Sequence, residues 1–436
     1  MYLSHQGVSI LMEIKPKTLA DLANNTLMGS SVYLSSENKL FDSAVMAQFL
    51  KKGEPFVILE LSYEKSFSDN GKFMASKVFP KVYEQRISLK SAIKELIDVD
   101  CPLENKLGIF LVSYALAVAR AEALSAKKLI LPISPGFIEK SDLPKLEILL
   151  NTLADNGTSK DYKLSIKLMP INENDPKWCE SKKWTNQANK QICLVSGGVD
   201  STVAAKIQMT YGKKIDFLQV NYGQSARYQE EWCVNELSKD FGIKTPTKIN
   251  LSALKYFGGS ALLDDSIKIT NENLSLEYVP FRNSIFLAFA LFKAEISKSS
   301  AVILGAHPDD TMAPDGRKVY IDSFNNLLSL FKGYPRVIAP LFDLGGKPEL
   351  VELGSLMGIN WVHTWSCHDF VPLGKAGESC MPCGECSNCI TRYSAFKKLG
   401  KSDPLSYKTL PKIRTNWAGK APGMKNALDL INRKAK

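Results

Sequence analysis

The sequence contains no hydrophobic run long enough to cross a bilayer and no segment with the pattern of an export signal. Its longest apolar run, 109–119, stops at Arg120 and predicts a buried helix. The first twelve residues are neither basic at their start nor apolar for long enough to form a secretory signal. We therefore expect a cytoplasmic protein with no membrane partner, whose nine cysteines stay reduced or bind a metal.

The composition is that of a globular protein with a full core, because 45% of the residues are hydrophobic and 23% are charged. A length of 436 residues predicts more than one domain. Much of the net charge of +10 lies in residues 401–436, where nine Lys and Arg face only Asp403 and Asp429. This basic C-terminal tail is either a solvated terminus or a surface for nucleic acid or an acidic protein, and the nucleic-acid alternative is not favoured.

From residue 191 onward, strand-like and helix-like segments alternate. A strand at 191–195 precedes a glycine turn and a helix at 201–209. The later segments of the alternation are 215–221, 229–240, 284–298, 301–306 and 349–357. Such alternation predicts an α/β fold, a parallel sheet covered by helices.

The N-terminal part of the chain repeats this order, which predicts an α/β domain over 1–170 that is a degenerate copy of the second. Residues 112–135 pair with 285–308 at a constant offset without a gap, although a helix followed by a strand can give such similarity by chance. No glycine pair remains in the first copy, and Glu37 would repel phosphate, so we expect no nucleotide chemistry there. The polar stretch 171–190 is predicted to link the copies.

A glycine-rich turn lies directly between the strand at 191–195 and the helix at 201–209. Its residues are Ser196, Gly197, Gly198, Val199, Asp200 and Ser201. Two glycines let the backbone turn sharply and bring amide groups close to an anion, at the positive end of the following helix. The turn lacks the Gly-Lys-[Ser/Thr] ending of a Walker motif. An ordinary glycine turn with Asp200 as a helix cap is the structural alternative.

This turn, Ser-Gly-Gly-x-Asp-Ser, resembles the PP-loop of ATP pyrophosphatases, and the chain is similar to the 7-cyano-7-deazaguanine synthase (QueC) family. Four further motifs occur in the family's order: Asn221-Tyr222-Gly223-Gln224, Tyr278-Val279-Pro280-Phe281-Arg282-Asn283, Ala313-Pro314-Asp315-Gly316-Arg317, and Thr364-Trp365-Ser366-Cys367 followed by Cys383 to Arg392. The resemblance covers 191–400, where it implies a Rossmann-like PP-loop domain of the adenine nucleotide alpha hydrolase type. The N-terminal domain and the tail lie outside it.

Four cysteines recur at every third residue, at positions 380, 383, 386 and 389, and Cys367 lies upstream. Thiolates at this density suit a tetrahedral zinc site that stabilises the fold, while an iron–sulfur cluster is the rival. The family resemblance implies zinc held by Cys367, Cys383, Cys386 and Cys389. Because Cys380 is an additional candidate, the identity of the first ligand stays open.

The resemblance also implies roles for residues within the motifs, with ATP and Mg2+ as cofactors. The PP-loop residues Ser196 to Ser201, with Tyr222 and Gln224, are expected to bind the nucleotide, and Asp200 and Ser201 to take part in catalysis. Arg282, Arg317 and Arg392 are candidates for clamping phosphate or carboxylate. Asp315 is expected to bind the base, and Asn283 to orient the substrate or its adenylate.

By resemblance, the substrate is 7-carboxy-7-deazaguanine or a similar small base. The carboxylate would be adenylated and then transferred to an amine, as implied for long QueC-like proteins of bacterial anti-phage defence operons (CBASS and Qat), where the acceptor is a partner protein. Ammonia as acceptor, with a second ATP, would instead give the free nitrile. A PP-loop enzyme that modifies tRNA and a nucleotide-binding scaffold without turnover are the remaining alternatives.

Overall fold

The computed structural model describes residues 31–34, 56–62, 82–88, 92, 96, 107–133, 138–170, 183–252, 254, 260, 262, 278–309, 313–368 and 380–434. These divide into an N-terminal unit (residues up to 184, with 280–292 and 326–334) and a C-terminal unit (185–279, 293–325 and 335–436). Among the described helices, none combines the length and the hydropathy that a membrane span requires.

The N-terminal unit contains a parallel sheet of five strands in the order β3-β2-β1-β4-β5. Its elements are β1 (Ser31–Leu34), β2 (Phe56–Ser62), β3 (Val82–Ser88), α1 (Leu107–Ala123), β4 (Lys128–Ile133), α2 (Leu143–Gly157) and β5 (Ser165–Pro170). The predicted buried helix at 109–119 is confirmed, because it forms the middle of α1 and its side chains from 111 to 122 are all buried.

The C-terminal unit contains a second parallel sheet of five strands, in the order β10-β9-β6-β7-β8. Its elements begin with β6 (Gln187–Leu194), α3 (Val199–Thr210), β7 (Lys214–Asn221), α4 (Arg227–Phe241) and β8 (Thr247–Asn250). The later elements of the chain are α5 (Arg282–Ile296), β9 (Ser299–Ile303), α6 (Lys318–Leu328), β10 (Arg336–Ile338), α7 (Lys347–Leu356), α8 (Ser387–Lys398) and α9 (Gly423–Lys434). Helix α5 belongs to the N-terminal unit as far as residue 292.

The predicted parallel-sheet α/β fold is therefore confirmed, and the two sheets have the same topology. Counted from its own first strand, each sheet has the order third, second, first, fourth, fifth. In each, a long helix precedes the fourth strand: α1 precedes β4 and α5 precedes β9. An internal duplication would give two sheets of the same order, and the duplication stays a prediction. Residues 35–42, which the sequence comparison set opposite the glycine-rich turn, lie outside the described residues.

The core of the C-terminal unit lies between the sheet and the helices α3, α4, α7, α8 and α9. Strand β6 begins at Gln187, within the segment predicted as a linker, but only its last four residues are buried. Much of the described tail also packs on this unit, since Met424, Ala427 and Ile431 of α9 enter the core.

Gly108 permits a close approach between α1 and the N-terminal-unit portion of α5. A Cβ atom placed on Gly108 would lie 2.5 Å from the Cα of Phe292, which is shorter than any normal contact. A larger residue would therefore push the two helices apart within the same unit.

We predict that Gly108→Ala lowers the free energy of unfolding by about 1–3 kcal/mol, the usual cost of overpacking. Helix propensity alone predicts the opposite sign, because alanine favours a helix over glycine by about 1 kcal/mol. Urea denaturation of the full chain measures the difference. An unchanged or raised midpoint would show that the helices do not approach as closely as described.

Candidate functional site

The glycine-rich turn follows β6, the strand at which the order of the second sheet reverses. Strand β6 pairs with β9 on one side and with β7 on the other, all in parallel. In open α/β sheets, ligands bind beyond the carboxyl ends of the strands at such a switch point. The turn leads directly into α3 at Val199.

The backbone of the turn requires its first glycine. Gly197 has φ +77°, and a Cβ there would lie 2.8 Å from the Cβ of Cys233. The carbonyl of Gly197 accepts a hydrogen bond of 2.8 Å from the backbone N–H of Trp365. The turn is thus fixed by α4 on one side and by the chain before Cys367 on the other.

Two hydroxyls of the turn converge on the first turn of α3. The Oγ atoms of Ser196 and Ser201 lie 3.5 Å apart, and Ser201 Oγ accepts from the backbone N–H of Ser196 at 3.3 Å. Thr202 Oγ1 donates to the carbonyl of Gly198 at 2.6 Å, which fixes the start of the helix. The backbone N–H groups at the start of the helix, the positive end of its dipole and two hydroxyls together form a binding place for an anion.

Asp200 in the first turn of α3 is held by a lysine that sequence reasoning missed. Lys347 Nζ donates to both carboxylate oxygens of Asp200, at 2.6 and 2.5 Å, and only 9% of the lysine side chain is exposed. His307 Nε2 lies 3.5 Å from Asp200 Oδ1. Burial alone would raise the pKa of Asp200, but the Lys347 ammonium and His307 lower it below its ordinary value. Asp200 is therefore ionised and paired.

Two further glycines allow the loops to close on this pair. A Cβ on Gly305, after β9, would lie 2.7 Å from the backbone nitrogen of Ser201. A Cβ on Gly346, before α7, would lie 2.3 Å from Asp309 Oδ2. A larger residue at position 305 would push the loop after β9 away from α3, and one at position 346 would push the start of α7 away from Asp309.

The other residues expected to bind nucleotide or substrate lie in several places. Gln224 is buried, and its amide closes the turn after β7 by accepting from Tyr222 N–H at 3.0 Å and donating to Glu230 at 2.6 Å. Asp315 is buried in a short 3-10 turn, and the half-buried Arg317 donates from Nε to the carbonyl of Pro314 at 3.2 Å.

Arg282 and Asn283 open α5, in the part of that helix that belongs to the N-terminal unit. Both are half-buried, and the guanidinium of Arg282 lies 5.9 Å from the ring centre of Phe286. Their expected contact with substrate stays a prediction.

The expectation that Arg392 clamps phosphate or carboxylate disagrees with its position. Its side chain is 1% exposed and forms a buried ion pair with Asp403, with Nε to Oδ2 at 2.8 Å. The guanidinium also donates to Thr364 at 2.7 Å and to the carbonyl of Trp361 at 3.0 Å. Because these protein groups use its donors, Arg392 anchors the segment that leads to Trp365 and has none to offer a ligand.

Four thiols lie together in the C-terminal unit. The Sγ atoms of Cys367, Cys383, Cys386 and Cys389 are all within 4.8 Å of one another, and all four residues are buried. A tetrahedral zinc ion with Zn–S bonds of about 2.3 Å requires sulfur atoms about 3.8 Å apart. The separation of 3.9 Å between Cys383 and Cys389 fits this geometry.

Backbone amides favour the thiolate form in this cluster. The N–H of Cys383 donates to Cys367 Sγ at 3.3 Å, and the N–H groups of Glu385 and Cys386 donate to Cys383 Sγ at 3.4 and 3.3 Å. Hydrogen bonds with the neighbouring thiols and the backbone N–H of Cys386 lower the pKa of Cys383. Four buried sulfurs without a counter-charge would repel one another on ionisation, so the donor set fits a zinc ion. Cys380 is half-buried and packs beside the four.

Known proteins match this part of the chain. A family model described as queuosine biosynthesis protein QueC matches residues 190–400. A 7-cyano-7-deazaguanine synthase of Rickettsia bellii is 35% identical over 229 residues, which cover 50% of this chain and 98% of that protein. One of Chlorobium phaeobacteroides is 32% identical over 231 residues, which cover 51% and 98%.

Among solved structures, a predicted subunit of tRNA methyltransferase from Methanocaldococcus jannaschii has a TM-score of 0.29 and 17% identity. The alignment covers 54% of this chain and 100% of that chain. These values carry no inference about function.

We predict that Cys367→Ser loses zinc to a competing chelator, whereas the matched variant Cys380→Ser keeps one zinc per chain. The reason is that a serine at position 367 removes one of four convergent sulfurs, while position 380 lies beside them. Metal analysis of both purified variants, with melting temperatures, measures this. Zinc retained by Cys367→Ser and lost by Cys380→Ser would show that Cys380, and not Cys367, is the fourth ligand. A coloured protein that contains iron would show that the four thiols hold an iron–sulfur cluster.

Proposed function

The chain belongs to the QueC family and is an ATP-dependent enzyme of the PP-loop type, and from this premise we propose that it adenylates 7-carboxy-7-deazaguanine. The relatives, which align with half of this chain, are named for a 7-cyano-7-deazaguanine product, and the family resemblance implies the carboxylate as the substrate. A carboxylate is a poor electrophile, and conversion to an acyl-adenylate gives it a leaving group. The activated acyl group would then be transferred to an amine.

One observation carries the proposal: the ion pair of buried Lys347 and half-buried Asp200 lies at the N-terminus of α3, beside the hydroxyls of Ser196 and Ser201. In the proposed step, a carboxylate oxygen bonds to the α-phosphorus of ATP. The bond from that phosphorus to the oxygen bridging the α and β phosphates breaks, and pyrophosphate leaves with the electron pair. Negative charge grows on the leaving oxygen, where the helix N-terminus, the hydroxyls and the ammonium can stabilise it.

The magnesium ion that accompanies ATP would find a carboxylate ligand in Asp200, and it would neutralise phosphate charge. Lys347 then has two functions in the proposal. It keeps Asp200 ionised before the nucleotide binds, and its ammonium is near enough to the helix N-terminus to move toward pyrophosphate.

The zinc site supports the same turn without taking part in the chemistry. Cys367 is two residues from Trp365, whose backbone N–H holds the carbonyl of Gly197. The indole Nε1 of Trp365 also donates to the carbonyl of Cys367 at 2.9 Å. A zinc ion on the four thiols would therefore fix one wall of the PP-loop.

Two amines are candidates for accepting the activated acyl group. The names of the relatives favour the free nitrile as the product, and the family resemblance implies ammonia as its nitrogen source. A second candidate is an amine on a partner protein, as the resemblance to defence-operon proteins implies. The N-terminal unit supports this candidate. The synthase of Rickettsia bellii aligns over 98% of its length with only 50% of this chain, so the N-terminal unit is additional and could bind a partner protein.

The direct experiment is to incubate the protein with ATP, Mg2+, ammonium and 7-carboxy-7-deazaguanine and to follow AMP and the base by mass spectrometry. We expect AMP that depends on the base. Free nitrile as the product would identify ammonia as the acceptor. AMP with only an amide or a persistent adenylate would favour a protein acceptor, and no AMP with any deazaguanine acid would overturn the proposal.

We predict that Lys347→Met slows AMP formation by about 100- to 1,000-fold, the usual effect of removing one preorganised group that stabilises transition-state charge. Lys425→Met is the matched control, because Lys425 lies exposed on α9. Steady-state rates at saturating ATP measure the effect, at a temperature where melting curves show both variants folded. Equal rates for the two variants would show that Lys347 does not stabilise charge in the reaction.

A further inference from the structure

Asp309 is a buried carboxylate outside the residues assigned so far, and it touches two separate segments of the C-terminal unit. Its Oδ2 accepts the backbone N–H of Lys347 at 2.8 Å, and its Oδ1 accepts the backbone N–H of Ala418 at 2.7 Å. The guanidinium of Arg414 lies 3.8 Å from Oδ1, and the aspartate side chain is 3% exposed. One carboxylate therefore joins the start of α7 to the C-terminal segment 414–420.

The first contact sets the direction of Lys347. Residue 347 is the first residue of α7, and its N–H is one of the donors that have no partner inside the helix. Asp309 satisfies this donor, and Gly346 lets the carboxylate approach so closely. The start of α7 is thereby fixed, and from it the Lys347 side chain reaches Asp200.

Asp309 also orients the second group that faces Asp200. Its backbone N–H donates to His307 Nδ1 at 3.2 Å. Because Nδ1 accepts this hydrogen bond, Nε2 is the ring nitrogen left to donate. Nε2 is the atom 3.5 Å from Asp200 Oδ1.

The C-terminal segment 414–420 contacts Asp309 through the carboxylate oxygen that does not bond to Lys347. Besides the Ala418 contact, the backbone N–H of Gly346 donates to the carbonyl of Gly419 at 3.1 Å. Gly345 and Lys420 form an antiparallel bridge. These bonds attach the segment to the residues immediately before Lys347.

We propose that Asp309 is a positioning residue of the nucleotide site and that the C-terminal segment 414–420 completes the site by holding it. The segment acts through Asp309 on Lys347 and His307, and these two groups act on Asp200 of the PP-loop. The role in catalysis rests on the proposed function, but the positioning role can be tested by measuring the binding of MgATP alone. A solvated tail would have no such effect.

The first test compares Asp309→Asn with the wild-type protein. The amide oxygen can accept only one of the two N–H groups well, because the NH2 group then faces the other donor. We expect the dissociation constant of MgATP, measured by calorimetry, to rise about tenfold, the usual effect of losing a hydrogen bond to a charged group. Unchanged affinity would overturn the proposal.

The second test keeps the proposal falsifiable if Asp309→Asn does not fold. Gly419 and Gly400 both have positive φ, at +78° and +67°, and both have open space where a Cβ would lie. Alanine should therefore cost similar stability at each position, but only Gly419 adjoins the contacts with Ala418 and Gly346. We expect Gly419→Ala to weaken MgATP binding several-fold and Gly400→Ala to leave it unchanged.

Equal MgATP affinity of the two glycine variants, at matched melting temperatures, would overturn the positioning role. The outcome is separate from that of the proposed function. A wild-type protein that binds MgATP but forms no AMP would contradict the adenylation step, and the variants would still decide whether the segment positions the site.

Discussion

The site depends on one half-buried charge, the carboxylate of Asp200 at the beginning of α3. Burial penalises an ionised carboxylate unless a cation compensates it, and Lys347 supplies that cation at 2.5 and 2.6 Å. The pairing requires α7 to begin beside α3, which Gly346 and Gly305 make possible by leaving room for the approaching chains. A helix N-terminus with a paired carboxylate then lies at the reversal point of the sheet.

Features formed by residues that are close together in the sequence could be predicted from the sequence. The turn from Ser196 to Ser201 was predicted because strand, glycines and helix follow one another directly, and the α/β fold was predicted from the alternation of segments. Lys347 was missed because it follows Asp200 by 147 residues and carries no local signal that it meets the PP-loop.

A motif residue need not be a ligand-binding residue. Arg392 was expected to bind phosphate because it ends a family motif, but it bonds to Asp403, Thr364 and Trp361 in the interior. Asp403 lies three residues beyond the matched range 190–400. Local sequence could not show that a residue of the tail neutralises this arginine. The tail therefore contributes to the site's support on two sides, through Asp403 and through the segment 414–420.

The central claim is that the PP-loop joins the substrate carboxylate to the α-phosphorus of ATP, and oxygen labelling tests it most directly. The substrate would carry 18O in its carboxylate, and AMP would be analysed by mass spectrometry after turnover. Adenylation predicts one 18O atom in each AMP, because the bridging oxygen stays on phosphorus when the amine displaces it. Unlabelled AMP, or label in inorganic phosphate with ADP as the second product, would contradict the claim.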